Sequence, residues 1–132
     1  MTEVSCFFTL LDQFLDDIKE SFPSETLQIE TYRKLINGFK RVNGRLFVRK
    51  FMDVIGPFKT EIMECNEKHF LELDPDVDDK EMELIEIIKD IWRTPSTSIE
   101  TKASIWAYLQ HLIRRGDAIV SGVKATTKFE GF

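Results

Sequence analysis

The 132-residue sequence predicts an all-α fold, a compact bundle of five or six amphipathic helices. Three observations lead there. Apolar residues recur at spacings of three and four along most of the chain, the period of one helical face. No stretch alternates apolar and polar residues as a half-buried strand does. Pro23 and Pro95 close periodic stretches, as a residue without an amide hydrogen does. The length fits one domain, and a chain of this size buries about two-thirds of its unfolded surface. A single helical domain is expected over residues 1–120, with a loose tail over 121–132.

The first helix carries Phe7, Leu11, Phe14, Leu15, Ile18 and Phe22 on one face, and Pro23 ends it. Ser24 is a good N-cap for a second helix, with Leu27, Tyr32, Leu35, Ile36 and Phe39 as its apolar positions. Asn37-Gly38 and Asn43-Gly44 are turn signals between it and the next element. The third stretch starts near Asn43 or Gly44 and holds Phe47, Phe51, Val54, Ile55, Phe58, Ile62 and Cys65 at helical spacing. Pro57 demands either a kink or two helices parted at Gly56. An acidic loop, Glu72 to Asp79, precedes a fourth helix capped by Asp76 or Asp78. Met82, Ile85, Ile88, Ile91 and Trp92 point inward from it. Thr97 and Glu100 form a T-x-x-E capping box for the last helix. Its stripe is Ile105, Trp106, Leu109, Leu112 and Ile113. Gly116 is a C-cap candidate, although Ile119 and Val120 extend the period.

No run reaches the roughly 18 apolar residues of a membrane span. The first residues carry no basic region and include acids, which argues against a secretory signal peptide. Two cysteines, Cys6 and Cys65, read as free thiols in a reducing compartment. The net charge of −5 is unevenly sorted. Residues 1–31 carry −6, residues 32–63 carry +6, residues 64–90 carry −8 and residues 91–132 carry +3. Such alternation lets neighbouring helices attract one another, or leaves a basic face for an acidic partner.

Candidate chemistry is sparse. An EF-hand loop begun at Asp74 would take oxygens from Asp74, Asp76 and Asp78, but Asp79 stands where the turn needs Gly, and Ile85 where the bidentate Glu belongs. These carboxylates read as a solvated loop favouring a helix N-terminus. Cys65 and His69, four apart, suit two zinc ligands, yet Cys6 and His111 are the remote remaining suppliers. Cys65 reads more simply as a small buried residue. There is no G-x-S-x-G, no P-loop and no G-x-G-x-x-G, and Glu83, Glu86, His69 and His111 belong to no nucleophile motif. The expectation is a non-enzyme with no cofactor and no metal. Arg115-Gly116-Asp117 matches an integrin-type triplet, but basic residues at a helix end explain it.

The one dense basic cluster is Lys40, Arg41, Arg45, Arg49 and Lys50, interleaved with Phe39, Phe47 and Phe51. These bases are the candidate partner-binding residues. Basic side chains neutralise phosphates and aromatics stack bases, so a nucleic-acid-associated factor is the alternative reading. The spacing of Phe47 and Phe51 is core spacing, however, and the isoelectric point near 5.1 opposes non-specific nucleic-acid affinity. Arg45 and Arg49 share a face that points away from both rings.

Three stretches together resemble a known family. They are Phe14-Leu15-Asp16-Asp17-Ile18-Lys19-Glu20-Ser21-Phe22-Pro23, then Phe51-Met52-Asp53-Val54-Ile55-Gly56-Pro57-Phe58, then Ile91-Trp92 with Thr101-Lys102-Ala103-Ser104-Ile105-Trp106-Ala107-Tyr108-Leu109-Gln110. This order is similar to a small uncharacterised all-helical protein family of large nucleocytoplasmic DNA viruses (giant viruses). That family starts F-L-x-D-L-x-x-x-F-P, has a Pro-containing middle and ends S-x-x-T-K-x-x-I-W-x-Y-L-Q. Ser98 takes the Ser position here, and the likeness spans most of residues 10–113. It departs after Gln110, where Arg114-Arg115-Gly116-Asp117 is polar instead of apolar. The resemblance implies a viral source and intracellular expression, in host cytoplasm, nucleus or the virion. It carries no catalytic residues. The expected function is a non-enzymatic protein-interaction module, an adaptor or virion-associated protein. Its partner is a viral or host protein, with nucleic acid second and no membrane.

Overall fold

The computed structural model describes residues 3–72, 83–95 and 97–130, without the side chains of Glu83 and 122–130. The chain is an all-α bundle, and no strand occurs among the described residues. The helices are α1 Glu3–Ser21, α2 Thr26–Ile55, α3 Lys59–Met63, α4 Glu67–Glu72, α5 Glu83–Arg93 and α6 Ile99–Glu130. Helices α1, α2 and α6 pack mutually, α5 lies on α2, and α3 touches α4 and α6.

Every residue of the α1 stripe from Phe7 to Ile18 is buried, and Phe22 packs against the core edge. Pro23 closes α1 and opens a 3-10 turn, Pro23–Glu25. That turn takes Ser24 out of the cap position, and α2 begins without a side-chain cap at Glu25. Thr26 Oγ1 donates to the Pro23 carbonyl at 2.7 Å instead. The inward face of α2 is Ile29, Tyr32 and Ile36. Leu27 is 76% exposed, contrary to its expected place on that face. Two residues before Ile29, it sits about 200° around the helix, because successive residues turn about 100°.

Only one of the two Asn-Gly pairs breaks the chain. Asn37 and Gly38 lie within helix, and nothing stands within 4 Å of a Cβ placed on Gly38. Asn43 is the break, with φ −162° and ψ 92°, and it divides α2 into halves 26–42 and 44–55. Its Oδ1 accepts from Leu46 N at 3.1 Å, an N-cap on the second half. Gly44 is where α1 crosses: a Cβ there would stand 3.1 Å from Val4 Cγ1 and 3.2 Å from Phe8 Cε2. Close passage of a neighbouring helix thus selects which turn signal is used.

The second half buries Phe47, Val48, Phe51 and Ile55. A 3-10 turn, Gly56–Phe58, carries Pro57 at its start, and α3 follows with Ile62 inside. Cys65, expected inside, is exposed and has φ 55°. The cause is a Schellman turn. Asn66 N donates to Glu61 O at 2.7 Å and Cys65 N to Ile62 O at 3.2 Å. The residue ending such a turn must be left-handed, and an L side chain there costs about 1–2 kcal/mol. Cys65→Gly should therefore raise stability by about 1 kcal/mol. A urea midpoint that fails to rise would contradict this. Gln110 loses only its 3.4 Å contact to the Cys65 sulfur and keeps its 3.0 Å bond to Ile62 O.

Asn66 Oδ1 accepts from His69 N at 3.2 Å and caps α4, which buries Phe70. The loop residues after Glu72, the caps Asp76 and Asp78, the calcium reading of Asp74 to Asp79, and Met82 all lie outside the described residues. Helix α5 buries Leu84, Ile85, Ile87, Ile88, Ile91 and Trp92. The cap of α6 falls at Ser98, one residue after the Thr97 expected. Thr97 Oγ1 donates to the Ile91 carbonyl at 2.7 Å, satisfying the end of α5. Ser98 then caps α6, its Oγ accepting from Thr101 N at 3.1 Å.

The α6 stripe is buried as expected, from Ile105 to Ile113. Gly116 does not end the helix, which continues to Glu130 through the stretch read as a tail. Instead Gly116 is a point of close approach. A Cβ there would meet Met52 Sδ at 2.3 Å.

Candidate functional site

The break at Asn43 bends α2 and opens a groove on its outer side. Lys34, Leu35, Gly38, Phe39, Val42, Asn43 and Leu46 line a depression of about 420 Å³. Asn43 and Leu46 also line a second depression of about 230 Å³, with Arg45, Arg49, Ile119 and Val120. The two form one surface across the break. Its apolar residues are unusually open: Val42 is 87% exposed, Leu46 40% and Val120 37%. Leu35 and Phe39 are half-buried and rest on the core, so the floor is firm.

The charges around this surface differ from those elsewhere. Arg33 reaches Asp16 at 2.7 Å and Asp12 at 3.5 Å, and Lys19 reaches Glu30 at 2.9 Å. Lys59 pairs with Asp117 at 2.6 Å, and Lys102 with Glu67 at 2.8 Å. Acidic α1 and basic α2 therefore do attract each other through Arg33, while the Lys19–Glu30 pair runs the other way, its base on α1 and its acid on α2. Lys34, Arg41, Arg45, Arg49 and Lys50 have no carboxylate within ion-pairing distance among the described residues.

The structure divides the five bases singled out in the sequence. Arg45 and Arg49 share the groove, on the face read for them. Lys40 points toward α1, its Nζ 5.5 Å from the centre of the Phe8 ring. Arg41 lies before the break and is exposed, while Lys50 is half-buried, and neither lines the groove. Phe47 and Phe51 are buried, and Phe39 packs on Phe47 at 5.7 Å between ring centres. No ring of the three lies open beside the arginines for a base to stack on. The sequence reading passed over Lys34, Val42 and Leu46. One signal was available: residues 35, 39, 42 and 46 form a second stripe beside Ile29, Tyr32 and Ile36. The fold covers this second stripe only in part: Leu35 and Phe39 rest on the core, while Val42 and Leu46 stand open.

A separate cavity of about 470 Å³ lies between α1 and α6, lined by Phe14, Asp17, Phe22, Ser104 and Tyr108 among others. Tyr108 donates its hydroxyl to Asp17, and its ring stacks on Phe14 at 4.9 Å. That hydrogen bond, then burial and the Asp17 charge, push the Tyr108 hydroxyl up to about 12. Ionising it would place a second negative charge against the carboxylate. The sign follows: the bond stabilises the fold fully below pH 10 and loses its effect as pH rises toward 12. Absorbance titration of tyrosinate should show a step near pH 12 that Tyr108→Phe removes. An ordinary titration near pH 10 would refute the bond.

The other candidates are dispersed. Cys65 and His69 are exposed, Cys6 is half-buried, and the Cys65 sulfur faces Gln110. Among the described residues no three His, Cys, Asp or Glu side chains gather as metal ligands would. His111 lines a shallow groove with Glu3, Arg114 and Arg115, Glu86 is exposed, and the Glu83 side chain lies outside the described residues. In the Arg115-Gly116-Asp117 triplet, Arg115 is 3.8 Å from Glu3, Asp117 holds Lys59, and Gly116 is buried. The triplet serves packing between helices. Among the described residues no helix is long and apolar enough to cross a membrane. No family model, curated protein or solved structure matches the chain.

Proposed function

We propose that this chain is a non-enzymatic helical protein-interaction module of a large DNA virus, an adaptor or virion-associated protein working inside the host cell. One observation carries the interaction role. Among the described residues, the bases of residues 34–50 lack carboxylate partners while those at 19, 33, 59 and 102 have them. Unpaired cations around an open apolar surface suit an acidic protein partner, which they steer and hold in register. The viral source rests on the three sequence stretches that resemble the giant-virus family.

The test is Arg45→Glu with Arg49→Glu in the full chain. The helical circular dichroism and melting curve should be unchanged, since both side chains are exposed and meet no carboxylate among the described residues. Recovery of a protein partner from infected cells should fall by about tenfold or more, as expected when two interfacial charges are reversed. Tight, salt-sensitive binding of DNA or RNA by the wild type, lost in the variant, would overturn the proposal for the nucleic-acid reading.

A further inference from the structure

We infer that the break in α2 is a docking groove for an amphipathic acidic helix, whose apolar face covers Val42 and Leu46 and whose carboxylates meet Arg45 and Arg49. This rests on the proposed interaction role and names the partner's shape and chemistry.

The geometry argues for a helix. Leu35, Phe39, Val42 and Leu46 follow one another along the groove. Leu35, Phe39 and Val42 lie in the first half of α2 and span 7 residues at about 1.5 Å rise each, roughly 10 Å or two turns, and Leu46 follows beyond the break at Asn43. A helix with apolar side chains at i, i+3 or i+4, and i+7 matches that length. A strand has nothing to join, because the described residues contain no sheet edge. The Asn43 cap holds the two halves of α2 at their bend, so the groove is preformed.

Charge selects the occupant. Arg45 and Arg49 stand on the rim at one end and Lys34 at the other. All three lack a carboxylate among the described residues, so an acidic helix gains pairs without breaking any. Nucleic acid fits the floor poorly, since Phe39 is its one ring, half-buried against Phe47, and Leu35, Val42 and Leu46 are aliphatic, so successive bases find no row of aromatic platforms. The acidic helix of a second copy is also a poor occupant. In α1, Asp12 and Asp16 hold Arg33, and Asp17 accepts from Tyr108.

The experiment is selection of a displayed library of helix-stapled 16-residue peptides on the full chain, followed by anisotropy titration of the enriched peptides. Enriched peptides should be net acidic with apolar residues at i, i+3 or i+4, and i+7. Val42→Asp with Leu46→Asp should weaken them more than tenfold while leaving circular dichroism and melting unchanged. Arg45→Glu with Arg49→Glu should weaken them and flatten their salt dependence. No enrichment, or enriched peptides indifferent to the Val42 and Leu46 changes, overturns the groove. A wild-type dimer dispersed by Val42→Asp in sedimentation also overturns it, because a second copy then covers the surface. A cellular partner lost with the arginine variant but kept by the Val42 and Leu46 variant overturns the groove alone. The broader interaction role would then stand.

Discussion

Trp106→Ala should destabilise the protein by about 3–5 kcal/mol, the loss expected when a large buried ring leaves a core. Trp106 is 8% exposed and is the meeting point of three helices. Its ring stands edge-on to Trp92 of α5 at 4.7 Å and to Phe70 of α4 at 5.4 Å. Phe70 in turn lies 5.4 Å from Phe58 in the turn before α3. Helix α4 has 6 residues and α5 has 11, lengths at which an isolated helix is marginal in water. Both owe their order to packing, and Trp106 is the side chain they share. Urea unfolding followed by circular dichroism reads the loss. Trp106→Phe should cost less, because a ring remains to face Trp92 and Phe70. An unchanged midpoint for the alanine variant would mean the ring does not join these helices.

Gly116→Val should cost about 1–3 kcal/mol, the usual range for overfilling a packed contact. Helix α6 approaches α2 so closely that a Cβ at 116 would lie 2.3 Å from Met52 Sδ and 2.9 Å from Met52 Cγ. Two opposing terms act here. Replacing a mid-helix glycine by alanine gains about 1 kcal/mol of helix propensity, whereas a β-branched side chain gains less and adds bulk. The clash decides the sign for valine. Met52 is flexible, so the contact is identified by coupling. In a Met52→Ala background the cost of Gly116→Val should shrink by more than about 0.5 kcal/mol, the usual limit for independent sites. An equal cost in both backgrounds would show that Met52 is not the obstacle.

Much of this fold was legible in the chain because most of its long helices present one face to one core. For α1, α5 and α6, spacing alone picks out Phe14, Ile88 and Leu109, and all three are buried. Their environment is one-sided, so hydrophobic period and burial coincide. Helix α2 has neighbours on more than one side, and there the period is ambiguous. Leu27 looked inward and is exposed, while Ile29 is buried. The same ambiguity hid the groove: Val42 reads as one more apolar residue until its missing neighbour is seen.

Local hydrogen-bonding residues show the limit from another side. The sequence placed the cap of α6 at Thr97, because short polar side chains compete for free backbone groups. The cap falls at Ser98 instead, since Thr97 is claimed by the Ile91 carbonyl of the preceding helix. Likewise two Asn-Gly pairs were equivalent as turn signals, and the passage of α1 beside Gly44 chose between them. By itself the sequence determined an all-α bundle, its helical stripes and a basic segment, because period and charge are properties of neighbours along the chain. Tertiary structure alone decided which bases meet carboxylates, which glycine is a contact and where apolar side chains stay uncovered. Those depend on which surfaces meet across the core, and no spacing along one helix encodes its distant partner.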